Sequence, residues 1–460
     1  MTLFRKILFC FFVVVYLSVC PLLILYALGY VYNPLKQGLV RTGVIRLSTV
    51  PSRASVYLEQ SRFAHQTPTI IEKLLPGRYQ IGLEKKGYKR WDYTVTMEAG
   101  KAVSFDSVLL IPNQWPTKTL SNQHYTDLFF PKDQKNFFLM TNSVLGSCFL
   151  YKDSGPVPLL NTDSALFELT VRNVKPIIGS DAVLISSGSF WDQKISIFNP
   201  QQSHSLPEDV TGLFGGQLPE FCWQNKNDNT IYFLQNGSVL CADIKTRQIL
   251  PRVLNDIKGF GVQGGQFYMI TPAGALVCDS LDSRESIPLL EDASLIKRFF
   301  NKSEFYRIEA CSDKIIIFQG SRGDLISNVP PYTIASEDVI GYKFNEDENK
   351  LLYWTEDAVH IADFSVDSDE SAFHERFLIN SVHENANNIK QCFWAWRDSH
   401  ILCNDADTIY LIEIEPQGNN HSEPICQILR RTSVFYDEDK YTLYYLEKTA
   451  GQLTSVRIIP

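Results

Sequence analysis

One stretch of the sequence spaces oxygen-bearing side chains as a calcium loop does. Asn345, Asp347 and Asn349 alternate along the chain, and carboxylate and amide oxygens at alternate positions open the Ca²⁺ loop of EF-hands. Such a loop also needs a glycine at its sharp turn and a bidentate glutamate at its far end. The sequence places neither of them here. We therefore expect no metal site at this stretch.

The residue types of hydrolytic chemistry are present, but their spacing does not suit that chemistry. The eight histidines are scattered with no H-x-x-H or H-E-x-x-H pair, the spacing with which many zinc hydrolases hold their metal. No G-x-S-x-G turn exposes a nucleophilic serine, and no glycine-rich loop could cradle phosphates. We expect no catalytic residues, no cofactor and no metal, and hence a protein that is not an enzyme.

The ten cysteines also lack a metal or redox spacing. Two of them lie in the first thirty residues, eight follow Gly146, and no C-x-x-C pair occurs. Cys241 and Cys278 each follow a glycine by four residues, in GSVLC and GALVC. A disulfide between them would suit an oxidising compartment, but we interpret them as small buried thiols.

Other candidate recognition residues have a structural interpretation beside the functional one. Arg322-Gly323-Asp324 matches an adhesion tripeptide, yet Gly-Asp is first of all a turn. The acidic run 363–370 is interpreted as a solvated loop. Five tryptophans could line a glycan platform, but aromatic residues at repeat spacing more often pack between sheets. Those tryptophans are Trp191, Trp223, Trp354, Trp394 and Trp396. The ligand-binding residues therefore stay unassigned at this stage.

The position of all these residues depends on an apolar run from Ile7 to Tyr30 that contains no charged residue. About 20 helical residues cross a hydrocarbon core about 30 Å thick, so the run predicts a transmembrane helix. A cleaved signal peptide is the alternative, because Arg5 and Lys6 precede the run and Ala27-Leu28-Gly29 resembles a cleavage site. The run is longer than the roughly 7 to 15 apolar residues of a signal peptide, which favours a retained span.

Topology follows from the length of the two flanks. A short amino-terminal tail stays in the cytoplasm, while large domains translocate largely regardless of their charge. We therefore expect a single-pass protein of the plasma (inner) membrane, with a cytoplasmic stub and helix at 1–32, a tether at 33–42 and an extracytoplasmic body. Its membrane contact would be residues 7–30.

Composition indicates an all-β body. Hydrophobic residues make up 45% of the chain and charged residues 20%, which is typical of globular proteins. Aromatic residues are plentiful, and amphipathic helical patterns are hard to find after Tyr32. The net charge is -8, and phosphate binding needs a basic face, so we expect no nucleic-acid partner.

Residues 43–112 alternate apolar and polar side chains between turns, as in Ala54, Val56 and Leu58. This region resembles the PEGA domain, a small β-sandwich of bacterial and archaeal surface and envelope proteins. The matching residues are Ser48, Pro51, Ala54-x-Val56-Tyr57-Leu58, Thr67-Pro68, Leu75-Pro76-Gly77-x-Tyr79 and Lys86-Gly87-Tyr88.

The PEGA resemblance implies a structural or adhesive module and carries over no catalytic residue. The tetrapeptide that names the family is half kept, as Pro51-Ser52-Arg53-Ala54. A turn without its glycine is tolerable if Arg53 avoids positive φ. The basic residues Lys85, Lys86, Lys89 and Arg90 could touch anionic lipid, but a solvated hairpin end is the simpler interpretation.

Residues 113–460 contain a repeated sequence pattern: an apolar strand, a polar turn and a second strand. Clear copies start at Phe129, Phe221, Tyr342, Phe393 and Val434, and weaker ones near Val174, Gly259 and Arg307. These make about eight units of roughly 43 residues, the period of a four-stranded propeller blade. We predict an eight-bladed β-propeller, with seven blades as the alternative because the copy near Arg307 is the poorest.

The two ends of the repeat region predict ring closure. The last copy ends in TSVRIIP, a third strand, and WPTKTLS before the first copy has no unit of its own. Pairing them in one sheet would remove an open edge. The repeated pattern resembles that of TolB-like propellers. Their Ser-Pro-Asp-Gly turn is matched only in part, by Pro131-Lys132-Asp133 and Asn345–Glu348. The resemblance implies the fold alone.

These features predict a non-enzymatic envelope protein in which a PEGA spacer precedes a propeller that binds a protein or a polysaccharide. A glycan-active hydrolase or lyase is the alternative, because propellers host both binding and catalysis. Acidic side chains converging within about 10 Å in a cleft would favour that alternative. A scaffold for envelope assembly is a third hypothesis.

Overall fold

The computed structural model describes residues 2–33, 38–130, 137–141, 148–152, 155–158, 171–178, 180, 182–188, 193–199, 207–219, 221–224, 229–236, 238–254, 257–263, 266–271, 276–280, 286–288, 306–311, 314–319, 323–327, 333–335, 338–365, 378–384, 386–414 and 421–459. The chain divides into two compact units. One comprises Met1–Pro116 with Arg457–Pro460, and the other comprises Thr117–Val456.

The first unit begins with the helix Thr2–Ala27 (α1). Its segment Phe4–Ala27 contains an 18-residue stretch with a mean hydropathy of 2.8 and no buried share, so the helix is long and apolar enough to cross a membrane. A signal sequence would meet the same criteria. The helix stops at Ala27, before the predicted end at Tyr30, because Gly29 adopts a φ of 82° and Thr42 Oγ1 donates to its carbonyl oxygen at 2.8 Å.

A β-hairpin follows the helix where the sequence led us to expect a tether. Tyr30–Asn33 (β1) pairs antiparallel with Gly38–Arg41 (β2). Tyr32 and Leu39 face each other in this register, and both side chains are exposed. Lys73 links the last turn of α1 to the rest of the unit, since its ammonium donates to Tyr26 Oη and lies 4.6 Å from the Tyr26 ring centroid.

The remainder of the first unit is a β-sandwich. One sheet contains Gly43–Val50 (β3), Thr69–Leu74 (β6) and Ala102–Leu109 (β9), with β3 central. The other contains Ser55–Leu58 (β4), Ser61–Gln66 (β5), Gly77–Glu84 (β7) and Trp91–Met97 (β8), in the order β5-β4-β7-β8. The period-two pattern places one face of each strand inside. Ile45, Leu47, Val56, Ile81 and Leu83 are fully buried between the sheets.

Arg53 does not meet the condition that the sequence set for this turn, since its φ is 63°. Three hydrogen bonds hold this turn in place. Arg53 N donates to Thr67 O at 2.8 Å, Thr67 N to Ala54 O at 3.0 Å, and Ala54 N to Thr67 Oγ1 at 2.9 Å. The backbone bonds to Thr67 thus offset the steric cost that a side chain pays in the left-handed region.

The second unit consists, in the part that the structure describes, of six four-stranded sheets and one eight-stranded sheet. Five of the four-stranded sheets are consecutive meanders. Their strands are Asp127–Phe129 (β11), Phe138–Met140 (β12), Cys148–Lys152 (β13) and Gly155–Pro158 (β14); Val171–Pro176 (β15), Val183–Gly188 (β16), Gln193–Phe198 (β17) and Glu208–Asp209 (β18); Phe221–Gln224 (β19), Thr230–Gln235 (β20), Ser238–Asp243 (β21) and Gln248–Leu254 (β22); Gly341–Phe344 (β31), Lys350–Trp354 (β32), Val359–Asp363 (β33) and Leu378–His383 (β34); and Ile389–Ala395 (β35), His400–Asp405 (β36), Thr408–Glu413 (β37) and Ser422–Gln427 (β38). A 3₁₀ turn, Thr211–Phe214 (η1), follows β18.

The eight-stranded sheet joins two further meanders through their first strands. The first meander is Gly259–Gln263 (β23), Gln266–Ile270 (β24), Leu276–Ser280 (β25) and Ser286–Pro288 (β26). The second is Tyr306–Cys311 (β27), Lys314–Gln319 (β28), Asp324–Ser327 (β29) and Thr333–Ala335 (β30). β23 and β27 pair in parallel. The poorest sequence copy, near Arg307, therefore forms four strands as the others do.

The last sheet joins the two ends of the repeat region. Thr117–His124 (β10) pairs with Gln452–Arg457 (β41), which continues through Thr442–Leu446 (β40) to Phe435–Asp437 (β39). Thr117 lies opposite Val456, and Lys118 opposite Ser455. The sequence predicted this pairing from its unassigned first strand.

Candidate functional site

A groove of about 710 Å³ lies between the sheet β31–β34 and the sheet β35–β38. The turn between β31 and β32 forms one wall and the turn between β35 and β36 another, with the outer strand β34 along a third side. Most of the side chains that line it are polar or charged. They include Asp347, Lys350, Asp363, Asn380, Arg397 and Asp398.

Asn345, the first residue of the calcium-like spacing, fixes one wall of the groove. Its Oδ1 accepts hydrogen bonds from Asn349 N at 3.0 Å and Lys350 N at 2.8 Å. Its Nδ2 donates to Asn349 Oδ1 and, across the sheet boundary, to Asp398 Oδ2, each at 2.8 Å. Asn345 is 5% exposed, whereas Asp347 is exposed. The alternating residues therefore clamp a turn, and their oxygens do not converge on one point.

The opposite wall is a strained turn. Trp396, Arg397 and Asp398 have φ values of 43°, 53° and 58°, and three consecutive residues in the left-handed region carry a steric cost. The Arg397 guanidinium lies 5.3 Å from the Trp396 ring centroid, while Ser399 N closes the turn on Trp396 O at 3.1 Å. The strain thus holds an exposed arginine and an aspartate at the groove.

The charges of the groove are of both signs. Asp363 lies 3.9 Å from Lys350 Nζ, and its Oδ1 accepts from Ser365 N at 2.9 Å and from Ser365 Oγ at 2.6 Å. Asp398 is held by Asn345, as described above. Asp347 and Arg397 are exposed and free of these internal bonds. A ligand in this groove would therefore meet one cation and one anion that take no part in the hydrogen bonds described for the two walls.

Of the five candidate tryptophans, the four that the structure describes pack inside the fold. Trp223, Trp354, Trp394 and Trp396 are 7%, 8%, 4% and 8% exposed. Trp394 Nε1 donates to Lys343 O at 3.0 Å and Trp354 Nε1 to Lys390 O at 3.2 Å, so both indoles link adjacent sheets. Trp191 lies outside the described residues. Of the four, Trp394 alone lines the groove.

The adhesion tripeptide is not presented to solvent as far as it is described. Arg322 lies outside the described residues, Gly323 has a φ of 73°, and Asp324 is 4% exposed. The acidic run 363–370 is described only as far as Ser365. The Gly-Asp pair therefore acts as the turn that enters β29.

The structure describes no group of three or more His, Cys, Asp or Glu side chains placed to hold a metal ion. Cys241 is a buried thiol, and the side chain of Cys278 lies outside the described residues. Cys392 and Cys403 face each other across β35 and β36 with their sulfurs 3.5 Å apart. Burial raises the pKa of the Cys392 thiol well above its usual value, so this pair has the character of core residues.

Sequence reasoning missed the groove residues Lys350, Arg397 and Asp398. Asn345 and Asp398 are 53 positions apart in the chain, and only the packing of two sheets brings them together. The signal that could have located them is the polar turn that recurs after the first strand of each copy, because equivalent turns of neighbouring sheets lie side by side.

Comparison with known protein families supports the assignment of the sandwich. Residues 42–111 match the family model of the PEGA domain, which confirms the resemblance seen in the sequence. No curated protein sequence matches this chain.

Three solved structures resemble a large part of the chain. The computationally designed Ika8 protein shares 12% identity over 74% of this chain and 98% of its own, with a TM-score of 0.42. The Cps50 (Swd1) β-propeller domain of Myceliophteria thermophila shares 11% identity over 74% and 99%, with a TM-score of 0.36. Hsv2 of Kluyveromyces lactis shares 9% identity over 65% and 97%, with a TM-score of 0.40. All three TM-scores are low, so the architecture rests on the strand pairing of this chain. The chain thus combines a PEGA domain at residues 42–111 with a propeller-like array of four-stranded sheets.

Proposed function

We propose that this protein is a membrane-anchored, extracytoplasmic binding protein without catalytic activity. In this proposal α1 is a retained span, the PEGA domain is a spacer in the sequence, and the propeller binds a protein or a polysaccharide of the cell envelope. The groove between β31–β34 and β35–β38 carries the proposal, because a strained turn holds a guanidinium and a carboxylate at a cavity of about 710 Å³.

We further propose that the sheets close into an eight-bladed propeller. The pairing of β10 with β41 supports closure. Buried side chains also connect consecutive sheets, and one cluster joins Leu128 and Phe137 near the start to Phe435 and Leu453 near the end. Particle images of the purified chain viewed along the ring axis would count the blades, and seven or an open arc would contradict the proposal.

Anchoring and sidedness are tested by cell fractionation and protease shaving. A retained α1 predicts that the full-length chain stays in the membrane pellet after alkaline extraction. An external body predicts that protease added to intact cells, with any outer envelope layer made permeable, degrades it. A soluble mature protein without its first thirty residues would overturn the anchor, and protection of the body until the membrane is lysed would overturn the orientation.

The groove is tested by site-specific photo-crosslinking in cells. A photoreactive residue at Asp347, on the exposed turn of the groove, is expected to give a discrete crosslinked species. The same residue at Lys245, in an exposed turn between β21 and β22, is the matched control. In the same crosslinked strain, Arg397→Gln should reduce the yield several-fold. Arg247→Gln should not, although Arg247 is also exposed and has a positive φ of 55°. Equal yields from both positions would contradict a groove ligand.

One observation favours the glycan-active enzyme as a second candidate. Three carboxylates, Asp347, Asp363 and Asp398, line the same groove, and paired carboxylates perform glycoside hydrolysis. This candidate predicts release of reducing ends from an envelope glycan and a loss of at least about 100-fold in Asp398→Asn or Asp347→Asn. Glycan that binds and is recovered uncleaved would support binding instead.

A further inference from the structure

A second polar site lies at the other end of β35, away from the groove. Lys390 follows the first residue of β35, whereas the groove is formed by the turn after its last residue. At about 3.3 Å per strand residue, these two points are roughly 20 Å apart. The loop between β38 and β39 carries Arg430 and Arg431, whose charges act on the Lys390 ammonium. Three cationic side chains therefore share this end of the sheet.

Backbone bonds fix the loop that carries the two arginines. Thr432 N and Thr432 Oγ1 donate to Leu429 O at 3.2 and 2.6 Å, and Leu429 N donates to Leu446 O at 2.8 Å. Val434 N donates to Gln391 Oε1, in β35, at 3.0 Å. The loop is thus tied both to the closing sheet and to the strand that carries Lys390. The two arginine side chains are exposed, but the backbone that carries them is held in place.

The ammonium of Lys390 lacks an acceptor. Its Nζ is buried, and no described residue lies within hydrogen-bonding distance of it. Burial and then the charges of Arg431 and Arg430 lower its pKa, while Asp127 only partly opposes them. Asp127 already accepts from Leu128 N at 2.8 Å and from the backbone N–H of Ser433. A buried ammonium without a partner is costly, and an anion would remove that cost.

The geometry points to a binding site for an oxyanion, a carboxylate or phosphate group of a ligand, formed by Lys390, Arg430 and Arg431. A guanidinium matches the planar fork of a carboxylate or the oxygens of a phosphate, and the ammonium supplies a charge already removed from water. The site is independent of the groove ligand, because it shares none of the groove's side chains.

The test is thermal unfolding of the full chain in detergent, with tryptophan fluorescence as the readout. The unfolding midpoint is measured at increasing concentrations of inorganic phosphate or succinate, and sodium chloride at matched ionic strength is the control. Phosphate or succinate should raise the unfolding midpoint saturably, and the anion that does so identifies the chemistry. Lys390→Met and Arg431→Gln should weaken the apparent affinity at least ten-fold. Lys118→Met, at an exposed lysine of β10, should leave it unchanged.

Basal stability provides a second readout. Without added oxyanion, Lys390→Met should match or exceed the midpoint of the unmodified chain, because it removes an unpaired buried charge. Equal anion-induced shifts in all variants, or no saturable shift with either oxyanion, would overturn the proposal. A Lys390→Met variant that is strongly destabilised in anion-free buffer would also overturn it, since the ammonium would then have a partner within the fold.

Discussion

His400 is a titratable side chain that the fold removes from water. It is 3% exposed, and burial lowers its pKa from 6.5 to about 4. The Ser399 hydroxyl donates to Trp396 O at 2.6 Å, so its oxygen can accept from His400 Nδ1–H at 2.9 Å. Neutral His400 therefore belongs to the structure of the groove turn.

Acid should destabilise the second unit partly through His400. Its folded pKa is depressed, so its contribution is complete above about pH 6.5 and is lost as the pH falls toward 4. Between pH 7.5 and pH 4.5 this is roughly 2–3 kcal/mol of unfolding free energy. His400→Gln should lose correspondingly less stability over that interval in urea unfolding. His421→Gln, at an exposed histidine, should retain the full acid loss, and identical curves for both variants would contradict the prediction.

Removing the Asn345 side chain should loosen both walls of the groove. Asn345→Ala deletes four hydrogen bonds and leaves the amides of Asn349 and Lys350 without their acceptor. We expect a loss of about 2–3 kcal/mol in unfolding free energy. Asn380→Ala, at an exposed position of the same groove, should cost less than about 0.5 kcal/mol. Millimolar Ca²⁺ should not shift the unfolding midpoint, and a saturable shift that Asn345→Ala abolishes would show that the turn binds the ion.

Among the elements, the parallel pair β23 and β27 depends on glycine. A Cβ at Gly261 would lie 2.1 Å from the Ile308 carbonyl oxygen, and one at Gly259 would lie 3.1 Å from that of Tyr306. The first strands of two meanders can therefore approach closely enough to pair only where side chains are absent.

Gly261→Ala should separate these two strands. The overlap is with backbone, so we expect a loss of at least about 2–3 kcal/mol and faster hydrogen exchange at the amides of β23 and β27. Gly212→Ala is the matched control, because its Cβ would meet nothing within 4 Å and its φ is not positive. Equal stability of the two variants would show that the strands do not approach this closely in solution.

At the scale of the whole molecule, the pairing of β10 with β41 decides whether the second unit has a free edge. A disulfide between Lys118→Cys and Ser455→Cys would link residues that face each other in the register and are 337 positions apart. Closing so long a loop should stabilise the oxidised variant by up to about 5 kcal/mol. The same variant in reductant is the control. Failure of the two thiols to couple would contradict the pairing.

The sequence predicted features that depend on local alternation, and it missed features that depend on assembly. Alternating apolar residues predicted the strands of the sandwich, and the unassigned strand at Thr117 predicted the pairing with β41. The apolar run did not reveal that Gly29 ends α1, because hydropathy does not report φ. Lys390 and Arg431 were missed for a different reason, since they are distant in the chain and meet only where one sheet packs on the next.

The sheet that pairs β10 with β41 can form only after the last strand has been synthesised. A ribosome that adds roughly 5–20 residues per second delivers β41 some 20 to 70 seconds after β10. Throughout that interval β10 has no strand beside it. Its sequence, TKTLSNQH, is polar and mostly exposed even in the finished sheet. β10, which stays unpaired for the longest time, is therefore a strand that water can solvate. This protects the nascent chain from pairing with the sheet edge of another molecule.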